Sequence, residues 1–289
     1  MRTLVAVLGA MLVVGCGRGS SGAPTLNLIT TTSTQDSGLL DRLVPAAEKS
    51  LGLHIRVIAV GSGEAIKLAE RGEADVLMAH SPAAEEKSVA GGHLVDRVPL
   101  MWNQFVIVGP VQDPAKIAGL ADPAEAFRRI RAAGATFVSR GDDSGTHKKE
   151  QEIARAAGLD SRDPKAHIVS TGQGQGETLM VANERAAYAL CDSATWAKMQ
   201  PKLRSKTQSA TQPGALAVLV AGTGAPGAVG QPPPIRTLVN PYHVMRASET
   251  LHPGVNVAGA KRFLSWVRGP EAAPIITAAG FTLGVPPGS

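Results

Sequence analysis

Two stretches of the chain put the same chemistry at the same local position. Thr25 to Gly38 (TLNLITTTSTQDSG) and Ala135 to His147 (ATFVSRGDDSGTH) both run from an apolar segment through a polar turn to Asp-Ser-Gly, then enter a helical pattern. A strand-to-helix turn of this kind aims unpaired backbone N–H groups and hydroxyls at one point, where the helix dipole also favours negative charge. The pair predicts an anion held between two lobes.

In the first turn Thr30, Thr31, Thr32, Ser33 and Thr34 set five hydroxyls in a row. They can donate to an oxyanion without adding formal charge. The same run would equally form a turn or cap, with Asp36 or Ser37 capping the next helix. Gly61, Ser62 and Gly63 fill the next such turn, where small residues let the backbone approach a ligand. No Gly-Lys-Ser/Thr follows them, so this is not a nucleotide phosphate loop. In the second block Arg140 can offer a planar fork to an oxyanion, and Ser144, Gly145 and Thr146 open a helix with N–H groups and hydroxyls. Asp142 and Asp143 are expected to cap, and to pair with Arg140 or the lysines. A further glycine-rich turn brings Gly174, Gln175 and Gly176.

Catalytic and metal-bearing patterns do not emerge. His147 is the only histidine beside the turns and is expected to cap or pack rather than act as a base. The sequence holds no HExxH, no CxxC pair and no close His/Asp/Glu cluster, so neither a protein-held metal nor a cofactor is expected. Mostly neutral donors argue for binding rather than turnover.

The elements that must position these turns follow from periodicity. LNLIT is a strand, Ser37 to Gly52 a helix, LHIRVIAV a strand, GSGEAIKLAERGE a helix and ADVLMAHS a strand. After a strand at Trp102 to Pro110 the alternation restarts, through AEAFRRIRAAG, TFVSR, GTHKKEQEIARAAG, HIVSTG, GETLMVANERA and AAYALCD. LVNPYHVMR then reads as a strand, and two helices end the chain. This is an α/β chain with mainly parallel sheets flanked by helices. The expected division is a lobe of residues 25–108 plus 240–289 and a second lobe of residues 109–239, joined by two hinge crossovers. The Gly/Pro-rich Thr223 to Pro234 is expected to be a surface loop.

The chain of 289 residues is 44% hydrophobic and 18% charged, ample for a core. Its net charge of +5 is scattered, and five Phe, three Trp and two Tyr give little surface for stacking bases, so nucleic acid is not an expected partner. Residues 1–24 read as a leader and tether. Arg2 precedes the apolar Leu4 to Val14, which ends in Val13-Val14-Gly15-Cys16. That pattern resembles the bacterial lipobox and predicts an exported protein lipid-anchored at Cys16. Cys191, the other cysteine, is expected to pack as a small hydrophobe.

Taken together, TTTSTQDSGLLD, GSGEAIKLAERGEADVLMAHS, FVIVGP, FVSRGDDSGTHKKE, STGQGQGETLMVANE, NPYHVM and FLSWVRGPEAAPII resemble the tungstate-binding proteins of Tup-type ABC importers, relatives of molybdate-binding proteins. The resemblance covers about Leu26 to Gly284. It implies a two-lobed type II periplasmic-binding-protein fold, acting as a monomer. The fold would close on tungstate, with molybdate as a second ligand, and deliver it to an ABC permease at the membrane. Family ligand positions carry over onto Thr31, Thr32, Ser33, Ser62, Arg140, Ser144, Gly145 and Thr146, with the turn of Gly174, Gln175 and Gly176 as a lesser contributor; Gly63 and His147 are lesser candidates beside them. The alternatives are another tetrahedral oxyanion such as sulfate or phosphate, an oxyanion sensor, or an enzyme on the same fold. Two departures matter: where the family usually has Thr-Asp-Arg, this chain has Cys191-Asp192-Ser193, so any contact from that Arg is lost, and the Gly/Pro segment before Asn240 is unusually loose.

Overall fold

A computed structural model describes residues 23–160, 167–206, 215–221 and 235–286. The expected acylation at Cys16, nearly all of the tether and the Thr223 to Pro234 segment lie outside the described residues. In chain order the first elements are β1 (Thr25–Thr31), α1 (Thr32–Asp36), α2 (Leu40–Leu51), β2 (His54–Val60), α3 (Ser62–Glu70), β3 (Val76–Ala79), α4 (Pro82–Ala90) and β4 (Leu94–Pro110). Then come α5 (Pro123–Ala132), β5 (Phe137–Ser139), α6 (Gly145–Ala156), β6 (Ile168–Ser170), α7 (Gln175–Glu184), β7 (Tyr188–Asp192), α8 (Ser193–Lys206) and β8 (Leu216–Ala221). A 3-10 turn at Arg236–Leu238 leads into β9 (Val239–Ala247), α9 (Val257–Val267), α10 (Ala273–Ala278) and β10 (Thr282–Leu283).

Local chemistry explains the boundaries. Gly52 adopts the left-handed conformation (φ 60°) and stops α2, which runs on through Pro45. Asp122 accepts the Ala124 N–H at 2.9 Å and Pro123 opens α5, while Asn256 accepts the Gly259 N–H at 2.8 Å to start α9. The hydroxyl run takes the capping role open to it: Thr31 caps the short α1, and the Thr31 and Thr34 hydroxyls bond each other at 2.9 Å.

The strands fall into two groups that share β4. In the order β2-β1-β3-β9-β4-β7-β5-β6, residues 94–104 of β4 pair with β9, and residues 105–110 pair with β7 and β8. The change of partner falls between Gln104 and Phe105. β1 is parallel to β2 and β3, and β5 is parallel to β6 and β7. Where β4 meets β7, β8, β9 and β10, and where β3 meets β9, the pairing is antiparallel. The expectation of mainly parallel sheets therefore holds on the βαβ flanks and is corrected at the centre, where the chain runs out along β4 and back along β9.

Each group is buried on both faces. Alternate residues of β4 go to opposite sides, Phe105 and Ile107 into one apolar cluster and Val106 and Val108 into another. In the first group Leu26 and Leu28 join Phe263 and Trp266, while Ile29 faces Ala65 and Met245. A fully buried Leu or Phe contributes about 1.5–3 kcal/mol. Cys191 lies wholly inside one cluster, where burial pushes its thiol well above the ordinary value, as suits a packed hydrophobe. No helix among the described residues is long and apolar enough to cross a membrane.

Candidate functional site

The donor-bearing turns sit at the carboxyl ends of β1, β2, β5 and β6, and they converge between the two groups. From the first group, Thr30 donates its hydroxyl to the Met78 carbonyl at 3.0 Å, and Thr31 caps α1 by accepting the Thr34 N–H at 3.4 Å. Thr32 faces the second group and accepts a hydrogen bond from Arg140 at 3.1 Å. Ser33 is buried, and its carbonyl accepts from the Thr195 hydroxyl at 3.4 Å. Ser62 opens α3 after an extended Gly61, and its hydroxyl accepts the Gly145 N–H at 3.2 Å.

From the second group, Arg140 follows β5 and is completely buried. Its Nε donates to the Gln173 carbonyl at 2.7 Å and its Nη1 to Gln175 Oε1 at 3.3 Å. Its Nη2 donates to Thr32 and, at 2.5 Å, to Asp142. Four of the five guanidinium N–H groups are thus engaged. Gln175 is itself fixed by donating to the Leu190 carbonyl at 3.0 Å. Gly141 has φ 61°, and a Cβ there would stand 2.7 Å from that of Ser170, so glycine is required.

Ser144 caps α6 by accepting the His147 N–H at 3.2 Å, and Asp142 accepts the Ser144 N–H at 3.2 Å. Asp142 and Asp143 do the capping and pairing expected of them, the latter 3.9 Å from Lys148. Gly145 and Thr146 are the first residues of α6. Thr146 is fully buried, and its hydroxyl is one of four buried side-chain atoms without a hydrogen-bond partner among the described residues. An orphaned hydroxyl at a helix N-terminus is a donor held ready for an acceptor.

The lesser candidates separate. Gly63 permits close approach, since a Cβ there would lie 2.9 Å from the Asp143 carboxylate. His147 is engaged at both ring nitrogens, by the Asp143 N–H at 3.0 Å and by Gln151 at 3.1 Å. Gly174 is the N-cap of α7, and the Gly176 N–H is taken at 3.2 Å by Asp36 of the first group. A separate cavity of about 250 Å³ lies among Phe127, Ile130, Phe137, His147 and Glu150, and its lining includes neither Arg140 nor Ser62.

Several residues here escaped the sequence reading. Glu150 stands behind Arg140, accepting from the Ser139 hydroxyl and, at 3.2 Å, from the Arg140 N–H; burial pushes its carboxyl up to about 7. His80, at the end of β3, stacks on Tyr242 with ring centres 4.5 Å apart. Burial lowers its imidazole to about 4, so it is neutral at physiological pH. A directed chain of hydrogen bonds runs from it. His80 Nδ1 meets Asn240 Oδ1 at 2.9 Å, Asn240 donates to Asn103 at 2.8 Å, and Asn103 donates to Asp192 at 2.9 Å. Because both amide nitrogens donate onward, Asn240 Oδ1 must accept, which puts the His80 proton on Nδ1. Asp192 also accepts the Ala194 and Thr195 N–H groups at 3.1 and 2.9 Å, so in the departing Cys191-Asp192-Ser193 segment it starts α8. Only the polar types at strand ends could have signalled this chain, since its members are far apart in sequence.

Among the described residues no three His, Cys, Asp or Glu side chains stand together as a metal cage. The geometry instead offers hydroxyls, backbone N–H groups and one guanidinium, a set suited to an oxyanion.

Comparison with known proteins agrees. The family model of the PBP superfamily domain matches residues 18–271. The tungstate-binding protein TupA of Peptoclostridium acidaminophilum is 37% identical over 251 residues, 86% of this chain and 79% of that protein. The crystal structure of the tungstate ABC transporter from Geobacter sulfurreducens is 39% identical with a TM-score of 0.71, covering 88% of this chain and 98% of that one. The tungstate-binding protein TupA from Desulfovibrio alaskensis G20 is 36% identical, also with a TM-score of 0.71, covering 91% of this chain and all of that chain (100%).

Proposed function

We propose a function from one premise: this chain belongs to the PBP superfamily and, within it, to the tungstate-binding family of ABC importers. It is the extracytoplasmic solute-binding component of an ABC transporter and takes an oxyanion. In our reading the ligand is tungstate, with molybdate, nearly identical in size and charge, as a second. No bond of the ligand is broken. It is captured, closed over and handed to the permease.

One observation carries the reading. The Arg140 to Thr32 and Gly145 to Ser62 hydrogen bonds draw donors of both strand groups onto a shared locus. We take the two groups as the two lobes, expected at residues 25–108 plus 240–289 and residues 109–239, with the strand pairing favouring a first crossover nearer Gln104. A dianion there would exchange its water shell for the hydroxyls of Thr32, Ser33, Ser62, Ser144 and Thr146, the N–H of Gly145 and the guanidinium of Arg140. Thr31 caps α1 as Ser144 caps α6, by accepting an N–H, and its O–H is left as a further donor to the same anion. Arg140 already neutralises Asp142, so much of the ligand charge falls on neutral donors and the α6 dipole. The N-terminal pattern supports export and acylation of Cys16, which would tether a monomeric domain beside its permease.

The test is calorimetry on anion-free protein with sodium tungstate, molybdate, sulfate and phosphate. Tight binding of the first two, with weak or no heat from the others, is expected. Absence of heat with all four overturns the reading. Preference for sulfate or phosphate would reassign the ligand.

A further inference from the structure

We infer that Asp36 is an inter-lobe latch: it caps the N-terminus of α7 across the cleft and thereby sets how long a bound anion is held. This rests on the binding function proposed above and adds a residue to it.

Asp36 is the last residue of α1 in the first strand group, and α7 lies between β6 and β7 in the second. The Gly176 N–H donates to Asp36 Oδ2 at 3.2 Å over a sequence separation of 140 residues. The Gln175 amide acts on the same carboxylate. Helix α7 has Gly174 as its N-cap and therefore no side-chain cap of its own. The cap comes from the other half of the molecule. A Cβ at Gly174 would lie at ordinary contact distance, 3.4 Å, from Asp36 Oδ2, so the carboxylate packs directly against the cap residue.

The placement of Asp36 is otherwise unexplained. A carboxylate at the end of α1 sits at that helix's negative pole, where it is locally unfavourable, and at the positive pole of α7. Burial raises its carboxyl above the ordinary value while the two amides pull it back. It also feels Glu177 unfavourably and Arg140 favourably. In an opened cleft both the carboxylate and the α7 amides would return to water. The contact therefore counts only toward the closed form, and it occupies the amides that the glycine turn was expected to offer the ligand.

The experiment uses the mature chain with Asp36→Ala and Asp36→Asn. Tungstate binding is followed by stopped-flow tryptophan fluorescence, with small-angle scattering of the anion-free proteins and a thermal melt as a check on folding. Loss of an N-cap predicts a roughly tenfold faster off-rate in Asp36→Ala with the on-rate within about twofold. Asp36→Asn, which keeps an oxygen acceptor, should recover most of the loss. An unchanged off-rate in Asp36→Ala overturns the latch, as does a slower one, which would mean that the carboxylate repels the ligand. If the wild-type protein binds none of tungstate, molybdate, sulfate or phosphate, the functional reading fails by itself. The latch is then read from scattering, where Asp36→Ala must give a larger radius of gyration than wild type, and equality overturns it.

Discussion

Ser62 and Gly145 meet between the two strand groups: the serine hydroxyl accepts the glycine N–H at 3.2 Å although they stand 83 positions apart in the chain. Both begin helices, α3 and α6, that belong to different strand groups. Two helix N-termini thus point at one place, which concentrates positive potential there before any ion arrives. The contact also measures how tightly the groups close.

Gly145→Ala tests that closure. An added Cβ would lie 2.8 Å from His80 Cε1 and 3.0 Å from Ser62 Oγ. Gly145 is helical and has no positive φ, and alanine is the better helix former there. Folding stability by urea denaturation is therefore expected within about 1 kcal/mol of wild type. Tungstate affinity should fall at least tenfold. Undiminished affinity would show that ligand-bound closure does not use this contact.

Arg140→Lys should cost affinity by a factor of a hundred or more, and Arg140→Glu should abolish binding. A lysine ammonium cannot reproduce the fork that reaches Gln173, Gln175, Thr32 and Asp142 together. Stability should also drop by roughly 1–3 kcal/mol, because buried acceptors lose their donor. Calorimetry and urea unfolding read the two effects separately, and tight binding by Arg140→Glu would move the site elsewhere.

Thr146→Val separates binding from folding in the opposite sense. It removes a buried hydroxyl that has no partner among the described residues, so the anion-free protein should melt at the same temperature or higher. Affinity for tungstate should fall about tenfold, the value of one hydrogen bond to a charged acceptor. Equal affinity would mean that the hydroxyl does not face the ligand.

Stability should respond to pH through two buried groups of opposite sign. Glu150, pushed up to about 7 from an ordinary 4.5, holds its proton more firmly in the folded state. Its contribution is greatest below pH 4.5 and is lost as pH rises through 7. His80, lowered to about 4 from 6.5, holds its proton less firmly. Its contribution is complete above pH 6.5 and is lost on acidification toward 4. Glu150→Gln should therefore steepen acid destabilisation. His80→Gln should expose a decline from pH 5 to 7 of up to roughly 3 kcal/mol. Urea midpoints that move identically with pH in both variants would contradict the assignment.

What could be read in advance was local. Strand-to-helix alternation, the Gly52 stop and a helix opening at Ser144 all follow from neighbours in sequence. β4 was read only from Trp102 but begins at Leu94. Asp96, Arg97 and Pro99 interrupt the apolar run, and the ladder to β9 shifts register around them. α8 went unseen because SATWAKMQPKLRSK has no clear apolar stripe and contains Pro201. Arg140, Ser62 and Gly145 were visible as donors. The work of Asp36, His80 and Asp192 was not, since each is defined by a partner 89 to 160 residues away.

Strand β4, seventeen residues long, gives the molecule a shared spine, one end stitched to β9 and the other to β7 and β8. Neither half can be excised with its sheet complete. A recombination event that exchanged one half for a homologue's would also have to carry a spine matched to the half left behind. Descendants of this gene are thus free to vary by point changes at the strand ends, yet are poorly placed to shuffle the two halves as cassettes.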